Sequence, residues 1–211
     1  MNPRRLSPSS PNVPSFGFTV ISQVNQDVAA DLEAALTGRP TISEDEPEIA
    51  QDIAQLKEDY AANALELIKD QILQLDDHDM EHLVAAVLRA IGYRARVTPQ
   101  GPDRGVDVIA SPDGLGLEAP RIKAEVKHRS KTPMSSQDVR SFIGGLREGD
   151  RGLYVSTGGF TKDARYEADR SLTPVTLVTF DDLAVLIVTH YEQLDVDGRA
   201  LLPLVRIYMP A

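Results

Sequence analysis

The chain has 211 residues, 42% of them hydrophobic, which is enough for one ordinary domain with a packed core and an appendage. With no cysteine it has no disulfide frame, thiolate zinc site or cysteine nucleophile, and with no tryptophan and 5% aromatic residues base-stacking platforms are not its theme. The net charge of -10 is unevenly spread: residues 1–80 carry 5 basic and 15 acidic side chains, whereas 121–170 carry 11 basic and 7 acidic, so phosphate binding by the later part is not excluded.

Residues 1–47 read as a disordered or weakly ordered acidic segment. They start with a proline- and serine-rich tail and end in the proline-punctuated run Gly38–Pro47. The start Met1–Leu6 is followed by no apolar stretch, so it is not a secretory signal, and no apolar run approaches the ~20 residues that span a bilayer. A cytoplasmic protein is the expectation. Residues 48–75 form an amphipathic helix: Ile49, Ile53, Leu56, Tyr60, Ala64, Leu67, Ile68, Ile72 and Leu75 recur near a period of 3.6. Its one-sided stripe needs cover from the following domain, from a second copy in a homodimer, or from both.

An α/β domain follows over 76–193. Asp76-Asp77-His78-Asp79 supplies N-cap candidates for a helix whose stripe is Met80, Leu83, Val84, Val87, Leu88 and Ile91, with Gly92 as its stop. Three strands come next, Tyr93–Thr98, Gly105–Ala110 and Arg121–His128, the last two joined by the glycine-rich connection Ser111–Pro120. Ser135 or Ser136 caps a helix in which Gly144-Gly145 is read as allowing close approach to the sheet. Gly152–Thr157 is a strand, Gly158-Gly159 a turn, Thr161–Arg170 a helix and Val175–Phe180 a strand. Asp181 or Asp182 caps a last helix through Tyr191. Three strands and then βα units predict a mixed five-stranded sheet with helices on both faces. The tail 194–211 is expected to pack back through Leu201, Leu202, Leu204, Val205 and Ile207.

Two strands carry the chemistry. Side chains alternate along a strand, so Ile122, Ala124 and Val126 share one face and Lys123, Glu125, Lys127 and Arg129 the other. Asp107 sits in the apolar run Val106–Ala110, where a buried carboxylate needs a partner or a metal. Its bland reading is an Asp at the sheet edge bonded to a loop. For Glu125 and Lys127 the bland reading is a charged outer face, but an interior strand covered on both faces needs a wet cleft for such groups. Two carboxylates with a neighbouring lysine suit divalent metal binding and phosphodiester hydrolysis.

Other features have simpler explanations. Glu81 is favourable at a helix N-terminus for its own sake. Gln137 and Asp138 read as first-turn capping residues, with Gln137 within reach of the site. His78-Asp79-Met80-Glu81-His82 spells the inverted zinc-protease string H-x-x-E-H. That chemistry needs both histidines on one helix face, and His78 is expected before the helix begins, so the match is read as accidental.

The ordered set Glu81-His82-Leu83-Val84 with Ile91-Gly92-Tyr93, Gly101–Val108, Ala124-Glu125-Val126-Lys127-His128, Val139–Leu146 and Val155–Ala164 resembles the Mrr-like restriction endonuclease family, within the PD-(D/E)XK nuclease superfamily. The resemblance spans about residues 76–190. It implies a restriction-endonuclease-like fold and cleavage of double-stranded DNA, often foreign or modified, with Mg2+ as cofactor and Mn2+ as a substitute. On the matching positions it implies Asp107 and Glu125 as metal ligands, Lys127 as the catalytic lysine and Glu81 as an accessory acid. Arg104, Arg129, Lys131 and Lys162, with Arg165, are the candidate DNA contacts. Two departures stand out: Glu125 where many relatives carry Gln, and Val106 rather than Pro before Asp107. Residues before 76 lie outside the resemblance and show no winged-helix reader. Two other functions compete with the endonuclease: a non-catalytic DNA-binding or assembly subunit, and a structure-specific repair nuclease.

Overall fold

Strand β3, Arg121–Lys127, is the middle member of a five-stranded sheet whose spatial order follows the chain: β1 (Arg94–Val97), β2 (Val108–Ser111), β3, β4 (Asp150–Ser156) and β5 (Val175–Thr179). The first two pairings are antiparallel and the last two parallel, which makes the sheet mixed. The computed structural model describes residues 46–99, 106–129 and 131–208, the first five as backbone alone. The acidic start 1–45 and Arg104 lie outside the described residues. Contacts divide the chain into Met1–Ile53 and Ala54–Ala211, and the whole sheet belongs to the second unit.

Helix α1 runs Glu46–Ile72 and α2 runs Asp77–Ala90. Within the second unit, Leu65, Ile68 and Ile72 of α1 join the core, while Leu56, Tyr60 and Leu67 stay exposed. Lys69 pairs with Asp181 at 2.8 Å. Asp76 caps α2, its side chain accepting the Asp79 N–H at 2.8 Å, so the helix starts one residue before His78. The stripe Met80, Leu83, Val84, Val87 and Leu88 is buried against β1, β2 and β3.

Two cores occupy the two faces of the sheet. One joins α2 to Val108, Ala110, Ala124, Val126, Val155 and Val178, and includes α5 (Phe180–Thr189). The other packs Tyr154 of β4 against α3 (Ser136–Gly144) and α4 (Lys162–Asp169) through Val139, Phe142, Phe160, Ala164 and Ala168. Helices on both faces are therefore observed, as the strand pattern predicts.

Three local readings change. The cap of α5 is Thr179, whose hydroxyl and backbone N–H engage the Asp182 carboxylate, so Asp182 is the third residue of a capping box rather than the cap. The close approach assigned to Gly144-Gly145 belongs to Gly152 on β4, where an added Cβ would lie 2.8–2.9 Å from Phe142, Leu146 and Val175; nothing lies within 4 Å of one at Gly144. In the tail, Leu202 is buried and Leu201 and Leu204 pack beside it, with Val196–Leu201 forming helix α6, but Val205 and Ile207 are exposed.

Candidate active site

Asp107 directly precedes β2 and is held from both sides. Its N–H donates to Ala124 O at 2.8 Å and its carbonyl accepts from Thr98 N–H at 2.9 Å. With Val108 and Ala110 facing the α2 core, strand alternation sends Asp107 to the opposite face. Its Oδ2 accepts the Val126 N–H at 2.7 Å. Lys127 Nζ lies 4.0 Å from that same oxygen and 3.0 Å from Glu125 Oε1. The three side chains assigned to the chemistry thus meet at the end of the central strand, each largely but not wholly covered.

Glu81, in the first turns of α2, reaches the same neighbourhood. Burial raises its pKa, the charge of Asp107 raises it further, and His78 opposes both. Burial likewise pushes Glu125 above the usual carboxylate range; Lys127 counters this, and repulsion from Asp107 adds to it. Asp107 and Glu125 therefore share the Lys127 ammonium, with the Glu81 carboxyl nearby, a concentration of acids that an added cation would relieve. Asp107 and Glu125, both beside Lys127 Nζ, offer carboxylate oxygens there. Among the described residues no three His, Asp or Glu side chains already converge as a ligand cage.

Sequence reasoning missed Tyr154. Its register places it beside Glu125, and its hydroxyl donates towards Glu125 Oε1 at 3.4 Å. The available signal was a tyrosine in an interior strand, since a buried hydroxyl seeks a partner. The buried Ser156 Oγ, Thr157 Oγ1 and His128 Nδ1, close to Lys127 in chain or register, have no hydrogen-bond partner among the described residues.

The candidate DNA contacts are less gathered. Arg129 is exposed and its charge reaches Asp138 and Tyr154, which places it beside the site. Lys131 and Lys162 are exposed, and neither makes an ion pair among the described residues. Arg165 acts on Asp182 instead. Gln137 is exposed, with no contact bringing it to the acids, and Asp138 is occupied in a capping box with Ser135. The loop carrying Arg129 is seated on backbone: an added Cβ at Gly158 would lie 2.3 Å from Arg129 O and 2.4 Å from Thr132 O.

The H-x-x-E-H string needs a correction. His78 lies inside α2, not before it, and its Nε2 is 3.2 Å from that of His82 one turn on. The protease reading fails for another reason: Glu81 engages His78 Nδ1 at 3.4 Å and senses the charge of Asp107, so it does not stand free as a general base.

A mixed sheet of this order, with acid, acid and lysine at the end of its central strands, defines a restriction-endonuclease-like α/β domain. The Mrr_cat restriction endonuclease family model matches residues 72–187, more than half of the chain, and the chain belongs to that Mrr-like family. It is 28% identical over 210 residues to the type IV methyl-directed restriction enzyme EcoKMrr of Escherichia coli (strain K12), covering 95% of this chain and 66% of that protein. It is 30% identical over 129 residues to the uncharacterized protein y4cE of Sinorhizobium fredii (strain NBRC 101917 / NGR234), covering 58% of this chain and 33% of the relative. The chain thus spans no more than 66% of either relative's length. The DNA modification-dependent restriction endonuclease AspBHI shares the fold, with a TM-score of 0.51 and 19% identity over 65% of this chain and 38% of that one.

Proposed function

We propose that this protein is a metal-dependent endonuclease that hydrolyses phosphodiester bonds in double-stranded DNA, acting in the cytoplasm in restriction of foreign or modified DNA. The observation that carries the reading is Lys127 Nζ standing 3.0 Å from Glu125 and 4.0 Å from Asp107, with all three side chains partly open to solvent. In this reading Asp107 and Glu125 hold Mg2+, or Mn2+ in its place. Carboxylate oxygens suit both ions, and Mg2+ in particular takes one or two carboxylates and completes its shell with water and phosphate. When bound, the ion polarises the phosphate and lowers the pKa of a water.

The chain's own residues supply the rest. Lys127 orients the attacking water and offsets charge building on the phosphorane. Glu81 is the accessory acid, and Tyr154 steadies the Glu125 carboxylate. Arg129, Lys131 and Lys162, with Arg104, supply phosphate contacts that set register without reading sequence. The methyl-directed activity named for EcoKMrr supports modified DNA as the substrate class.

Plasmid DNA incubated with pure protein and Mg2+ is expected to be nicked and linearised. Asp107→Ala and Lys127→Ala should each be slower by about 10²–10³-fold or more. Equal cleavage by all three proteins defeats the proposal, and DNA binding without cleavage by the wild type would favour a non-catalytic subunit.

The exposed Leu56, Tyr60 and Leu67 on α1 support a homodimer through this helix, an arrangement that lets both strands be cut. Light scattering should give twice the chain mass for the intact protein and one chain mass for Leu56→Glu/Leu67→Glu. A monomeric intact protein rules the dimer out.

A further inference from the structure

The first turns of α2 place two imidazoles edge to face outside the acid site. His78 and His82 are one turn apart and both exposed, and their Nε2 atoms are 3.2 Å apart with ring centroids 4.6 Å apart. Two nitrogens bound to one tetrahedral zinc at 2.0–2.1 Å lie about 3.3–3.4 Å from each other. The observed separation is that of a chelating pair.

The second ring nitrogen of His78 supplies an independent observation. Its Nδ1 faces Glu81 Oε2 at 3.4 Å. A metal-ligating histidine characteristically donates its other N–H to a carboxylate, which fixes the tautomer and presents the remaining lone pair to the metal. With Nδ1–H donated to Glu81, His78 Nε2 is left as an acceptor beside His82 Nε2. The Nε2–H of His82 meets it when the pair is metal-free, and a cation held by both nitrogens would sit to one side of the line joining them.

We propose that His78 and His82 form a two-histidine site for a late first-row divalent ion such as Zn2+, with Glu81 as the outer carboxylate and water completing the shell. The site is separate from the oxygen-donor pair Asp107 and Glu125, because imidazole selects zinc, copper and nickel over magnesium. Its charge lies one hydrogen bond from Glu81, so zinc-class ions are sensed beside the acid cluster. The chain has four histidines and no cysteine, so few other soft donors compete.

The test uses metal-stripped, full-length protein without a histidine tag. It is titrated with Zn2+ against a chromophoric chelator and with Cu2+ under electron paramagnetic resonance, both without DNA. Expected results are one Zn2+ per chain and a Cu2+ spectrum with nitrogen hyperfine structure. His78→Ala and His82→Ala should each weaken binding by at least about tenfold, while His190→Ala and Asp107→Ala bind as wild type. Binding retained by Asp107→Ala separates this site from the proposed nuclease centre. Substoichiometric Ni2+ should broaden the ring resonances of His78 and His82 first in wild-type protein, an answer that needs no variant. Absence of binding, binding unchanged in the double variant, loss in Asp107→Ala, or broadening centred on His128 or His190 would overturn the proposal.

Discussion

The two ends of β3 present charges on the same face and treat them in opposite ways. At the start of the strand, Asp150 is buried and held by Lys123 Nζ at 2.8 Å, Arg121 Nε at 3.2 Å and the Arg147 N–H at 2.8 Å. Burial pushes its pKa up, but Lys123, the Arg147 N–H and Arg121 outweigh it and leave the carboxyl below its usual range. At the other end Glu125 has one lysine, faces a second acid, and is left above its usual range. An acid compensated by more than one cation and an amide is a rivet of the fold. An acid with too few partners is marked as a candidate functional group, and on the proposed reading it takes a cation.

The largest effect that would sharpen this contrast is on stability. Asp150→Ala leaves two cations facing a buried void, and it is expected to destabilise by about 2–4 kcal/mol, below the full buried-pair figure because Arg121 is 43% exposed. Urea denaturation measures it; a loss under 1 kcal/mol would break the comparison. The same denaturation series should give Glu125→Gln a small gain at neutral pH, read as a higher urea midpoint with an unchanged slope. A clear loss would mean that the Lys127 pair outweighs burial and Asp107.

The finest test is the pH dependence of these differences. The folded-state pKa of Asp150 is lowered, so its contribution is present above the ordinary aspartate value and is lost as pH falls through the folded-state value. The deficit of Asp150→Asn should shrink on acidification. The folded-state pKa of Glu125 is raised, so its protonated form favours folding at low pH and that benefit is lost as pH rises through the folded-state value. The gain of Glu125→Gln should therefore appear on raising the pH and vanish on lowering it. Slopes of the same sign for the two variants would contradict the assignment.

How much of this was legible follows from where each signal resides. The alternation of Ile122, Ala124 and Val126 against Lys123, Glu125 and Lys127 is written in the chain, and so was the facing of β3. Asp107 in an apolar run was equally plain, because an unpaired buried carboxylate is costly. For Tyr154 the chain shows only a tyrosine in an interior strand; its partner Glu125 depends on parallel register with β3, a contact between distant segments. His78 was misplaced because three aspartates near it could all serve as caps; the choice of Asp76 drew the histidine into the helix. Val205 and Ile207 look like core residues by composition, yet the packed surface ends with Leu204.

Position 158 has a consequence of its own. The carbonyls of Arg129 and Thr132 rest where a side chain would begin, so the segment after Lys127 is seated against main chain there. A methyl group there would displace that segment, and on the proposed reading it would move the Arg129 guanidinium relative to the phosphate it is proposed to contact. On that reading, the alignment of the nucleic acid depends on a residue without a side chain of its own.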